Sequence, residues 1–461
     1  MDHATIQTRS AVLRRSFRKD FPIAVRGKGV FLWDAAGNQY LDLAGSAAVN
    51  FIGHGVPEIS VAMAEQAAKL EFVHTSQFTT PVAEEYAQEL LTFAGERFRG
   101  GAVYFTSGGS ESIETALKLA RQYQVEIGQT TRHQIFSRQQ SYHGSTLGAL
   151  SVSGNKRRRE IYLPMVREFA HVGMPYCYRC DFDCTDGCRN CGQQYAAELE
   201  RAIEDSRSET AAFIFEPVSG ATLGAVVPPP GYLPSVAEIC HRHGVLLIAD
   251  EVMTGMGRTG RNFAVEHWFA ERGKAGPDIL VTAKGLSSGY AALGAVIASK
   301  KVVDAIAGGS GAFLHGFTYN AHPVSLAAGR AVLHYSNEKN LIEAADSSRA
   351  GSPAAQFKQT LESLSDEEAI GDVRGIGLLW AIEFVADKAS KRPFAPEKDF
   401  CARVGASAMK RGLLVYPMQG CVDGVSGDHV LLAPPAIITP DQIAQAAEQL
   451  RQAVREAKLS L

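Results

Sequence analysis

Lys284 closes the apolar run DILVTAK and is followed by Gly285, Leu286, Ser287 and Ser288, so its amine enters small, largely apolar surroundings. Lysine is seldom buried without a partner or a task. Burial disfavours the ammonium form, and the neutral amine that results can condense with an aldehyde to a Schiff base. About one strand-helix-strand length earlier, GVLLIADEV ends on Asp250 and Glu251. A carboxylate at the carboxyl edge of a strand can serve a site there, although such residues also cap the helix that follows. Taken together, amine and carboxylate can meet at one rim of one sheet. A third signal lies upstream, where AVYF leads into Thr106, Ser107, Gly108, Gly109 and Ser110, and then into a helix with Ile113, Ala116, Leu117 and Ala120 on one face. A small-residue loop opening a helix presents unpaired N–H groups and about half a positive charge, which suits an anion such as phosphate. An ordinary capped helix has the same pattern.

The elements that must position these groups are legible as an alternation. From about residue 100 to about 330, short apolar runs (AVYF, HQIFSR, AAFIFEP, GVLLIADEV, DILVTAK, GAVIASK) alternate with helical stretches. This predicts parallel strands joined by crossover helices in a sheet covered on both faces. Ligands bind such sheets beyond the carboxyl ends of the strands, where the three signals fall. The C-terminal part differs, with GIGLLWAIEF and LLVYP as strands. A final helix starts at Thr439 and Pro440, with Ile443, Ala446, Ala447, Leu450 and Val454 on its apolar face. Near the other end, GVFLWDAAGNQYLDL reads as a hairpin turning at Ala-Gly-Asn. The expected division is an N-terminal arm with part of a small domain over 1–65, a large domain over 66–330, and the rest of a small α+β domain over 331–461.

Composition narrows the function classes. A chain of 461 residues, 46% hydrophobic and 21% charged, describes an ordinary globular enzyme with more than one domain. With 46 basic and 49 acidic residues the net charge is -3, too weak a field to point to nucleic acid or an anionic membrane. No apolar run reaches the roughly 20 residues of a membrane span. The arginine-rich start lacks the apolar core of a secretory signal. The expected location is the cytoplasm, where cysteines stay reduced.

The motifs FTSGGSESIETALKLAR, SYHGST, FIFEPVSGA, ADEVMTGMGRTG, TAKGLSSGY, HGFTYNAHP and VRGIGLLWAIE occur in the order that resembles class III pyridoxal 5'-phosphate (PLP) aminotransferases, from about Val30 to about Ile437. The resemblance implies PLP fold type I: an α/β large domain with a mostly parallel sheet covered by helices, plus a small α+β domain built from both chain ends. It also implies a homodimer with active sites at the interface. Through the same motifs Lys284 resembles the Schiff-base lysine and general acid/base, and Asp250 the partner of the pyridine nitrogen. Gly109 and Ser110 resemble the phosphate-binding turn, Tyr142 the ring stacked on the pyridine, and Val252 the apolar group on its other face. Thr318 resembles the threonine that reaches the phosphate from the partner subunit. The implied reaction is a ping-pong transfer from a primary amine or ω-amino acid to a keto acid. Racemases, decarboxylases and amino-lyases share the cofactor and form the alternative.

Several positions depart from the family pattern. Ala221 stands where members acting on glutamate or ornithine carry a glutamate, which resembles the branch using pyruvate. Arg374 matches an arginine that binds a substrate carboxylate in some members, but without that glutamate its role is open. Phe51, Phe78 and Tyr416, with Asn50, are expected near the substrate. Gly108 and Ala292 replace the usual serine and proline. TGMGRTG, with Gly255, Gly257 and Gly260, also fits a dinucleotide-binding loop, but no acidic residue ends a second strand at the required distance, which leaves a nicotinamide oxidoreductase as an outside alternative. KRRR at 156–159 reads as a solvated face. Cys177, Cys180, Cys184, Cys188 and Cys191 contain two CxxC pairs that could wrap zinc, or stay as thiols or form a disulfide, and no catalytic metal is expected.

Overall fold

A computed structural model of the protein describes residues 11–17, 19–182, 188, 190–269 and 275–461; Cys184 lies outside them. The largest sheet has seven strands in the spatial order Ala102–Thr106, Gly294–Ala298, Ile279–Thr282, Leu246–Asp250, Thr210–Phe215, Gln134–Arg138, His171–Val172. Every apolar run singled out in the sequence supplies one of these strands. The pairings from Ile279–Thr282 through to His171–Val172 are parallel. Gly294–Ala298 runs antiparallel to both its neighbours, which departs from the uniform parallel alternation.

Alternate residues of the central strands enter separate cores, which explains why the strands read as unbroken apolar runs. Phe213, Phe215, Leu247 and Ala249 pack on one face with Leu199, Leu233 and Val236 from the helices Cys191–Asp205 and Tyr232–Arg242. Ala212, Ile214, Leu246 and Ile248 pack on the other with Ile113, Ala116 and Ala120 of the helix Gly109–Glu126. Helix, sheet and helix form three layers.

Both ends of the chain share a further core, in which Leu41, Leu43 and Phe51 meet Trp380, Phe400, Leu432 and Leu450. Phe31–Asp34 and Gln39–Asp42 form the expected hairpin, and Leu413–Leu414 adds to Gln39–Asp42 in parallel. A second small sheet, ordered Ile370–Ile376, Leu379–Phe384, Asp428–Leu432, Tyr416–Gln419, is antiparallel throughout. The final helix, Pro440–Leu459, starts with a capping box between Thr439 and Gln442 and buries Ile443, Ala446, Ala447, Leu450 and Val454. The division expected at 330/331 falls inside the helix Pro323–Glu338, which packs Leu326 and Leu333 on the large-sheet core and Ala328 and Val332 on the shared one. Among the described residues no helix is long and apolar enough to cross a membrane.

Candidate active site

Register brings the three sequence signals to one rim. Asp250 pairs with Val281, Thr282 with Ala295, and Gly294 with Thr106, so the strands preceding Lys284, Asp250 and the Ser107–Ser110 turn end side by side. Beyond that rim is a cavity of about 330 Å³ lined by Gly109, Ser110, Tyr142, Asp250, Val252 and Lys284, with His143, Glu216 and Val49. That size is typical of a small-molecule site.

Gly109 begins an 18-residue helix whose first turn opens on the cavity. A Cβ at Gly109 would lie 3.2 Å from Val252 Cγ1. The Ser110 hydroxyl accepts a hydrogen bond from the Ser145 N–H at 3.0 Å, and the Ser107 N–H donates to Glu111 Oε2 at 2.9 Å. Gly144 must be glycine for two reasons: its φ is +144°, and a Cβ there would sit 2.6 Å from Ser110 Oγ.

Lys284 adopts a positive φ of 45°, a conformation that costs a non-glycine residue about 1 kcal/mol and clusters at functional sites. Its side chain keeps part of its surface toward the cavity while protein surrounds it on every other side. Burial pushes the amine down from the usual 10.5 to about 8, against the opposing pull of Asp250 and Glu216.

Asp250 is 5% exposed. Its Oδ1 accepts from the Val252 N–H at 3.0 Å, and its Oδ2 lies 2.7 Å from His143 Nδ1. His143 Nε2 is buried without a hydrogen-bond partner among the described residues. Glu216 follows the strand Thr210–Phe215, accepts from the Gly220 N–H at 2.9 Å and the Tyr142 N–H at 3.3 Å, and is pushed up by burial and then by Asp250, with His143 opposing. His143 and Glu216 were missed in the sequence, where only adjacency to SYHG and the strand-end rule mark them.

The other expected residues lie elsewhere. Among the described residues lining the cavity, Thr318, Phe51, Phe78, Tyr416 and Arg374 are absent. Thr318 and Phe78 are exposed, Tyr416 is half-buried, and Phe51 is buried beneath the Arg258 guanidinium, 5.2 Å from its ring centroid. Arg374 departs most from expectation. It donates to the carbonyls of Leu223 and Gly224 and pairs with Asp372 and Glu383, each at 2.8 Å. Its hydrogen-bonding capacity is committed to holding two segments together, so binding a substrate carboxylate would require dismantling that network. Ala221 has a different partner, its carbonyl lying 2.9 Å from His429 Nε2.

Within the KRRR run, read from sequence as a solvated face, Arg158 is half-buried and lies over the Tyr142 ring, 4.1 Å from its centroid. Arg158 pairs with no carboxylate among the described residues, and its charge reaches Lys284. The glycine loop 255–260 does not cradle a dinucleotide. Arg258 within it is buried, donating to the carbonyls of Asn50, Ala433 and Pro434, and a Cβ on Gly260 would meet Asp346 Cα at 2.4 Å. Chain fills the space a pyrophosphate would need.

The family model for aminotransferase class-III matches residues 15–454. An uncharacterized aminotransferase of Bacillus subtilis, YodT, is 39% identical over 437 residues, covering 94% of this chain and 95% of that one. A thermostable (S)-enantioselective omega-transaminase from Thermomicrobium roseum superposes with a TM-score of 0.86 at 36% identity, over 95% of this chain and 93% of that one. The omega transaminase from Pseudomonas jessenii, solved in complex with PMP, superposes with a TM-score of 0.87 at 28% identity, over 95% and 93% respectively. An amine and a carboxylate meeting at a helix N-terminus, on a chain matched nearly end to end, place this protein in the class III aminotransferases, which are PLP-dependent enzymes.

Proposed function

We propose that the protein moves an amino group from a primary amine or ω-amino acid to a keto acid, pyruvate foremost, in two half-reactions that share one site. The observation that carries this reading is the buried Lys284 amine, held down to about 8, in one cavity with Asp250 and the start of the helix Gly109–Glu126.

The residues present fit PLP. The first-turn N–H groups at Gly109 and the Ser110 hydroxyl suit a phosphate, and Tyr142 and Val252 offer an aromatic and an aliphatic surface for a flat ring. The buried Asp250 carboxylate suits a protonated ring nitrogen, with His143 fixing its orientation. When bound, PLP supplies an electron-withdrawing ring that stabilises charge left at the substrate Cα. Lys284 would hold the cofactor and, when its amine is free, would move the proton at the substrate Cα. An amine that titrates near 8 is suited to both roles, because each protonation state is accessible near neutral pH.

With Arg374 committed to Glu383 and Asp372, carboxylate recognition falls to Arg158, whose guanidinium lies over the ring of the cavity-lining Tyr142. Thr318 completes the phosphate site of a partner subunit in a homodimer. In a single chain Thr318 stands exposed beside Leu314 and Tyr319, which are 80% and 61% exposed, as expected of a segment that another chain covers.

The test is alanine formation from pyruvate with a panel of amine and ω-amino acid donors. Bleaching of the cofactor's absorbance by donor alone, reversed by pyruvate with stoichiometric alanine, is expected, and Arg158→Leu should raise KM for pyruvate about tenfold with kcat little changed, the loss of a charge-assisted contact. Loss of donor amine without alanine would instead indicate a lyase or decarboxylase.

A further inference from the structure

The cysteine-rich segment lies away from the Lys284 cavity, and none of its described cysteines lines that cavity. Its sequence carries two CxxC pairs, Cys177 with Cys180 and Cys188 with Cys191. The fold brings three of these together: the sulfur atoms of Cys177, Cys188 and Cys191 all lie within 4.8 Å of one another, with the Cys180 sulfur outside that group. Cys180 follows the one-turn helix Cys177–Arg179, and its sulfur accepts from the Tyr195 hydroxyl at 3.8 Å. We propose that Cys177, Cys180, Cys188 and Cys191 bind one structural zinc ion.

The donor set selects the metal. Sulfur ligands favour zinc over the oxygen-seeking calcium and magnesium, and two short CxxC turns can supply a closed tetrahedral site. Zinc–sulfur bonds of about 2.3 Å place tetrahedral sulfurs ~3.8 Å apart, so Cys177, Cys188 and Cys191 need only a small contraction, and Cys180 must turn from the Tyr195 hydroxyl to join them. Each thiol gives up its proton on binding. Cys191 is the first residue of the helix Cys191–Asp205, whose N-terminal N–H groups favour the negative sulfur that results. Phe182 packs edge-on against Tyr195 with ring centroids 4.7 Å apart, and with the half-buried Cys177, Cys180 and Cys188 it lies against the large-sheet core.

The consequence is mechanical. Tyr176 and Arg179, on either side of Cys177, both bond the buried Glu383, the same carboxylate that holds Arg374. A zinc knot closing 177–191 fixes the loop that presents those two residues to the strand Leu379–Phe384. The site is thus a clamp between the large sheet and the small antiparallel one.

The experiment is elemental analysis of the native holoenzyme purified under reducing conditions without chelator. About one zinc per chain is expected, released by an organomercurial in step with modification of four thiols. A Cys188→Ser/Cys191→Ser double variant should keep the cofactor's absorbance, lose the zinc and melt several degrees lower. Native protein that contains no zinc and takes none up on dialysis against zinc sulfate overturns the proposal, as does iron in its place. Zinc retained in full by the double variant also overturns it, because the ligands must then be elsewhere.

Discussion

Lys284 carries the cost of its position in two forms, a left-handed backbone and a buried amine. Its value in the folded protein lies below the ordinary 10.5, so protonation opposes folding. The penalty is present in full below about 8 and fades as pH rises toward 10.5. Lys284→Met should therefore stabilise the cofactor-free protein at pH 7 by on the order of 2 kcal/mol, a figure reduced because part of the side chain faces the cavity, while abolishing transamination. Denaturant unfolding at pH 7 and pH 10 checks this, and an equal gain at both would show that the amine's charge is not the cause. Lys284 and Asp250 were legible in the sequence because each ends an apolar run. His143 was not, since its contact with Asp250 spans 107 residues and nothing local marks it. Glu383 left a fainter sign, a lone charge within the apolar stretch LLWAIEF, and it explains why Arg374 does not need a glutamate at position 221.

At the level of elements, the proposed phosphate turn depends on how closely the SYHG loop approaches the helix Gly109–Glu126. Gly144→Ala would place a methyl group 2.6 Å from Ser110 Oγ and force a left-handed backbone on alanine. We expect PLP to bind at least tenfold more weakly, with secondary structure unchanged, as read by absorbance titration of cofactor-free protein and by circular dichroism; unaltered affinity would mean that the turn tolerates displacement. The strands themselves were legible because burial on both faces leaves an unbroken apolar signature. The direction of Gly294–Ala298 was not, because an apolar run reads the same in either orientation. Arg158 was hidden for the opposite reason: in a run of four cations nothing distinguishes the one that turns inward over Tyr142.

For the whole molecule, the proposed dimer makes each site a joint product of two chains. A hybrid dimer of one Lys284→Ala chain and one Thr318→Ala chain should contain one intact site, Lys284 coming from the second chain and Thr318 from the first. Co-expression with two affinity tags would isolate it, and the expected outcome is one site per dimer with wild-type PLP affinity. If Thr318 acted within its own chain, the hybrid would contain no such site.

The parallel pairing of Leu413–Leu414 with Gln39–Asp42 has a consequence for biosynthesis. At ribosomal speeds of about 5–20 residues per second, the strand Gln39–Asp42 emerges roughly 20 to 75 seconds before its partner has been made. Arg258 faces a shorter delay of roughly 9 to 35 seconds, since two of its three carbonyl acceptors belong to Ala433 and Pro434. During translation the first hairpin therefore keeps an open edge, and the nascent chain cannot close the layer that Gln39–Asp42 and Arg258 help to build until residues 413–434 have been made.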